Sequence, residues 1–180
     1  MTRYTRKSLA FLIVPIILAS FFASEAVALD TAHVSQYYVA APSHISIPAV
    51  DLSATIIPVG LTKGGAMDVP SGKSNNVGWY DKGVKPGMQG NAVLDAHVFA
   101  AFSKLSQVQV GDAISIQSGS HTLHYVVDSV SEYLLATLTS AQVFGAHGGS
   151  TITLITCAGT FVPAQNTYDH RLVVVARLVS

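Results

Sequence analysis

The chemistry available to this chain is concentrated in few side chains. Cys157 is its only cysteine, and it closes the apolar run "TITLITC". A single thiol cannot make an intramolecular bridge, so Cys157 is either a small buried hydrophobe or a nucleophile. Arg171 opens the next apolar run, "RLVVVARLV". A strand that ends in a reactive residue, followed by a connection and a strand that opens with a cation, brings both side chains to one barrel rim. If the two runs pair antiparallel, Cys157 and Arg171 face each other. Thr153, Ile155 and Cys157 then share one face of the first strand, and Arg171, Val173 and Val175 share one face of the second. A guanidinium is always charged and carries several donors, so it suits an oxyanion or a substrate carbonyl better than proton transfer.

A thiol nucleophile also needs a proton partner. Histidines stand at 33, 44, 97, 121, 124, 147 and 170. His97 is the best placed, because "NAVLDAHV" reads as a strand ending there, at a rim where loops leave room for a substrate. His121 and His124 point to opposite faces of one strand, and His170 faces away from Arg171. With one cysteine and no tight His or Asp/Glu cluster, no zinc ligand set is recognisable. Trp79 and Tyr80 read as packing residues.

These side chains need strands to hold them. From Ile45 onward short β-type runs alternate with turn signals: "ISIP", "ATIIPVG", Gly64-Gly65, "VGWY", Lys85-Pro86-Gly87 and "NAVLDAHV". Ile114 and Ile116 alternate with Ser115 and Gln117, a Ser118-Gly119-Ser120 turn follows, and Leu123, Tyr125 and Val127 share a face, which is a hairpin pattern. "TITLITC" and "RLVVVARLV" are apolar enough that at least one is buried on both faces. A long connection from Ala158 to His170 is expected between them. Short helices fit at Phe99 to Leu105 and around Thr139 to Phe144. The expected fold is all-β, a closed or nearly closed barrel of six to eight strands with short helices in the connections.

The ends and the composition set the compartment. Arg3, Arg6 and Lys7 precede an apolar stretch from Leu9 to Ala23, and Ala26-Val27-Ala28 has the form of a signal-peptidase site. Residues 1–29 are therefore a signal peptide or an N-terminal membrane anchor, with everything after them outside the cytoplasm. Residues 30–44 read as a linker, which as a flexible coil averages roughly 20 Å end to end. Residues 45–180 form one domain large enough for a core without disulfides. Lys+Arg and Asp+Glu balance at 10 each, so no nucleic-acid partner is indicated.

In this order "IPAVDLSATIIPVGL", "DVPSGKSNNVGWY", "KPGMQGNAVLDAHV", "LITCAGTF" and "YDHRLVVVARLV" resemble the sortases, cysteine transpeptidases of the Gram-positive type of envelope. "VGWY" with a Pro-Gly turn after it is closest to class F or class F-like sortases. The resemblance implies an eight-stranded barrel and a catalytic set of His97, Cys157 and Arg171. It implies that Cys157 attacks the carbonyl after threonine in an LPxTG-like motif of a secreted protein, giving a thioacyl enzyme. His97 then serves the departing and incoming amines, with transfer to an amine acceptor of the envelope or to water. Arg171 would hold the oxyanion with Thr156 nearby as a further substrate or oxyanion residue. An N-terminally anchored enzyme at the extracellular face of the cytoplasmic membrane, needing no metal or cofactor, is the expectation, and a secreted form is the variant if the signal is cut. Most relatives have Gly where this chain has Ala96, which would narrow the space beside the imidazole. The alternatives are a non-catalytic envelope-binding barrel with a buried cysteine, or another cell-wall cysteine transpeptidase. An L,D-transpeptidase would carry a Ser-His-Gly-Cys type of stretch, which "LITCAGTF" lacks.

Overall fold

The structure is a computed structural model describing residues 39–180; the signal or anchor segment and most of the expected linker lie outside the described residues. Eight strands follow in order: β1 (Pro42–Ile47), β2 (Leu52–Val59), β3 (Val77–Tyr80), β4 (Gly90–Asp95), β5 (Ala113–Ser118), β6 (His121–Leu134), β7 (Ser150–Val162) and β8 (Thr167–Leu178). They close into a barrel in the order β1-β2-β3-β4-β7-β8-β6-β5, with Ile45 opposite Ile116 where β5 meets β1. Closure removes the unpaired edges that would template association. Two of the pairings, β2 with β3 and β4 with β7, are parallel.

Alternation explains the inside of the barrel. Ile45 and Ile47, Val77 and Trp79, Ala92 and Leu94, Ile114 and Ile116, Ile152 and Leu154, and Leu172, Val174 and Ala176 belong to one buried core. Positions between them face outward, yet Thr151, Thr153, Val173 and Val175 are buried too. On β7 the cover comes from helix α1 (Ser140–Phe144), started by a capping box in which Thr139 and Gln142 satisfy each other's backbone. The Asn91 side chain donates to Val143 O at 2.9 Å and accepts from Thr153 Oγ1 at 3.0 Å and Thr151 Oγ1 at 3.3 Å. Polar groups enclosed between barrel and helix thus keep their hydrogen bonds, without which burial would be costly.

Three boundaries differ from the sequence reading. β1 begins at Pro42, inside the segment read as linker. β4 ends at Asp95, short of His97, although Ala96 N still donates to Ile155 O at 3.4 Å. The expected long connection from Ala158 to His170 is mostly strand. β7 runs on to Val162 and β8 starts at Thr167, leaving one 3-10 turn over Pro163–Gln165 and a left-handed Asn166. The break is a bulge between Ala158 and Phe161, which lets the ladder resume beyond the site.

Candidate active site

Cys157 and Arg171 are direct partners in the antiparallel β7–β8 ladder. Both stand on the outward face, because Thr156, Leu172 and their inward neighbours turn into the barrel. Neither is at a strand end. Cys157 instead sits at the bulge, where Gly159 adopts φ +76, a conformation that glycine enters without steric cost. A Cβ there would lie 2.5 Å from His170 Nδ1. Asp169 Oδ1 fills the space, accepting from Thr160 N at 2.7 Å and bonding His170 Nδ1 at 2.8 Å. The bulge that presents the sulfur is therefore locked from β8.

His97 reaches the same row from the other side. The parallel β4–β7 register pairs Asp95 with Ile155, and His97 lies two residues past Asp95 as Cys157 lies two past Ile155. Thr156 Oγ1 donates to Ala96 O at 2.7 Å and is buried, which ties the two backbones together next to both residues. The Ala96 methyl is packed in the core. The His97 ring stacks on Phe99, centroids 4.8 Å apart at 14°. Gly72 makes room for the pair, since a Cβ there would come 3.0 Å from Phe99 Cε2 and 3.4 Å from His97 Cδ2. No hydrogen bond joins His97 to Cys157 among the described residues.

The Arg171 guanidinium is anchored along its own strand. Nη1 donates to Tyr168 O at 3.0 Å and His170 O at 2.8 Å, and Nη2 donates to Thr167 Oγ1 at 2.9 Å. Of its five N–H groups, Nε–H and one on Nη2 keep no partner among the described residues. Burial pushes the Cys157 thiol above its ordinary value; Arg171 pulls it down, Asp95 pushes it up, and a hydrogen bond from the Tyr168 backbone pulls it down. The resting sulfur at neutral pH is therefore a thiol, and it must lose a proton to attack.

Asp95 escaped the sequence reading. It faces outward on β4, on the same side as Cys157 and Arg171, and its Oδ1 is buried without a hydrogen-bond partner. Burial raises its carboxyl from 3.8 to about 7, against the pull of Arg171 and with a push from Asp68. The available signal is a lone acid in the largely apolar "NAVLDAHV", two residues before His97.

Two cavities lie in this part of the barrel. One of about 230 Å³ opens at Cys157, between Phe102, Glu132, Tyr168 and Leu172. Another of about 530 Å³ lies between the loop after β2 and α1, lined by Leu61, Met67, Tyr80, Val143 and Phe144. No group of three His, Cys, Asp or Glu among the described residues could hold a metal ion.

A Sortase domain model matches residues 45–179. The chain belongs to the sortase family. Its barrel is similar to sortase A from Corynebacterium diphtheriae, with 25% identity and a TM-score of 0.57 over 79% of this chain and 62% of that one. It is also similar to sortase C1 of GBS Pilus Island 1, at 24% identity and a TM-score of 0.58 over 77% and 65%. Sortase C-1 from Actinomyces oris gives 24% and 0.57 over 77% and 73%. This sortase thus spans less than two thirds of the length of the first two. No curated protein matches it in sequence.

Proposed function

We propose that this sortase is a cysteine transpeptidase that cleaves an LPxTG-like motif after threonine and passes the acyl group to an amine or to water. The observation that carries the reading is the pairing of Cys157 with Arg171 in the β7–β8 ladder, with His97 just past the end of the neighbouring β4. Cys157 attacks the carbonyl as thiolate. Arg171 offers an unused N–H group to the oxyanion. His97 accepts the thiol proton, protonates the departing amine and later deprotonates the incoming one. Thr156 acts through Ala96, holding His97 beside the sulfur, because its hydroxyl is already donated.

The outer face accounts for a peptide substrate. From Thr153, beneath α1, to Cys157 is four residues of strand, about 13 Å, the length of an extended tetrapeptide. A motif with its threonine carbonyl at Cys157 lays its apolar start near the Leu61–Phe144 cavity.

The finer assignments rest on sequence. The "VGWY" strand and following Pro-Gly turn favour class F or a class F-like sortase. The basic start and apolar stretch favour residues 1–29 as an anchor at the extracellular face of the cytoplasmic membrane, 30–44 as its linker and 45–180 as the catalytic domain. Among the described residues no helix is long and apolar enough to cross a membrane. Sorting-motif proteins and an envelope amine are the partners in this reading. The test is intact-mass analysis of the protein incubated with LPxTG-type peptides, with and without amine. A thioacyl adduct on Cys157 that amine discharges is expected. Cleavage that survives Cys157→Ala refutes the reading.

A further inference from the structure

Asp95 is the least explained group near the row of three. A buried carboxyl oxygen without a partner costs stability, and β4 could have carried an apolar residue there as it does at Val93. Two unsatisfied sets face the same side of the barrel: the bare Oδ1 of Asp95 and the two unpartnered N–H groups of Arg171. Asp95 pairs with Ile155, Ile155 with Val173, and Arg171 lies two residues from Val173 on β8. Two strand spacings and the two-residue offset, together about 12 Å, separate the backbones, which the long stem of arginine and the aspartate side chain span between them.

We infer that Asp95 is a positioning residue for Arg171, its carboxylate accepting from the guanidinium and turning it toward the Cys157 oxyanion. This rests on the function proposed above and names a residue that function does not require. The charged and titratable groups around Asp95 are Arg171 on β8, Cys157 on β7, Asp68 in the loop after β2 and His97 just past its own strand. Arg171 alone among them is a fixed cation. Asp95 ionises near neutrality, so the aiming strengthens as pH rises through about 7, while at lower pH the hairpin contacts to Thr167, Tyr168 and His170 hold the guanidinium.

The experiment combines kinetics with a readout that needs no turnover. In the wild type, acyl-enzyme formation should rise with pH through a limb near 7, and the Arg171 Nε–H resonance should titrate with the same midpoint. Asp95→Asn should lose both, with kcat down on the order of tenfold, less than the 10²–10³ expected for loss of an oriented donor itself, and KM little changed. Asp95→Glu, which keeps the charge, should retain the limb. Asp95→Asn combined with Arg171→Gln should be no slower than Arg171→Gln alone, because the aspartate acts only through the arginine. Additive losses, or an Arg171 signal indifferent to Asp95 in a folded variant, overturn the inference. If the wild type forms no acyl enzyme, the functional reading falls, and the resonance titration still decides whether Asp95 holds Arg171.

Discussion

Asp95 should make this protein less stable as pH rises, and Asn in its place should abolish the effect. The carboxyl titrates at 3.8 when exposed and at about 7 in the fold. The native state therefore holds a proton that the unfolded chain has lost between those values. Stability linked to it is complete below about pH 4 and is lost as pH climbs through 7. With 1.36 kcal/mol per unit, the whole shift corresponds to about 4 kcal/mol, of which more than half falls between pH 5 and pH 8. Other perturbed groups titrate outside that window. The Asp169 carboxyl is held below its usual range by His170 and the Thr160 N–H, and the Cys157 thiol is raised. Urea denaturation of wild type and Asp95→Asn at pH 5, 6, 7 and 8 measures the difference. The gap between the curves should widen by about 2 to 3 kcal/mol over this range, in favour of the variant. A constant gap would mean that Asp95 is not a buried acid. Coupled with slower acyl transfer, a stabilised variant would show stability given up for activity at the site.

Three further outcomes follow from the site. Cys157→Ala should abolish acyl transfer and leave the barrel's circular dichroism unchanged, since little volume is removed. Alkylation of Cys157 by iodoacetamide should be slow at pH 7 and accelerate above pH 9, because burial raises the thiol; a plateau already reached at pH 7 would contradict this. Gly159→Ala should lose far more activity and stability than Gly148→Ala. Both glycines have positive φ, but only Gly159 is closed in by Asp169 and His170, so equal effects in denaturation and turnover assays would remove the bulge from the account.

Much of this was legible before any coordinates. Alternation in "ISIQS" and "TITLITC" fixed which residues share a face, and with an antiparallel assumption that sufficed to bring Cys157 opposite Arg171. The hairpin beyond them was not legible. Gly159, Pro163 and Asn166 read as a continuous loop, yet Gly159 is absorbed into a bulge and only Pro163–Asn166 turns the chain. The parallel β4–β7 pairing has no local signature, since its strands lie far apart in sequence, so His97 is chosen from the end of a strand pattern and not from its neighbours in space. Asp95 was overlooked for the same reason. Whether an acid on an apolar strand is solvated or enclosed depends on what packs over that face, and here the cover comes from distant segments.

The tie between Thr156 and Ala96 spans 60 positions of chain, whereas Cys157 and Arg171 belong to a single hairpin. Closing a long loop precedes the contacts that reward it, so non-local pairings form slowly. The nucleophile and its cation should accordingly meet early in folding and the imidazole should arrive late, when β4 docks along β7. A conservative change in the β7–β8 hairpin, such as Val174→Ala, should then slow refolding, while Thr156→Val should mainly speed unfolding. The thiol would stand without its proton partner until late in folding, and the chemistry would be complete only as the barrel shuts.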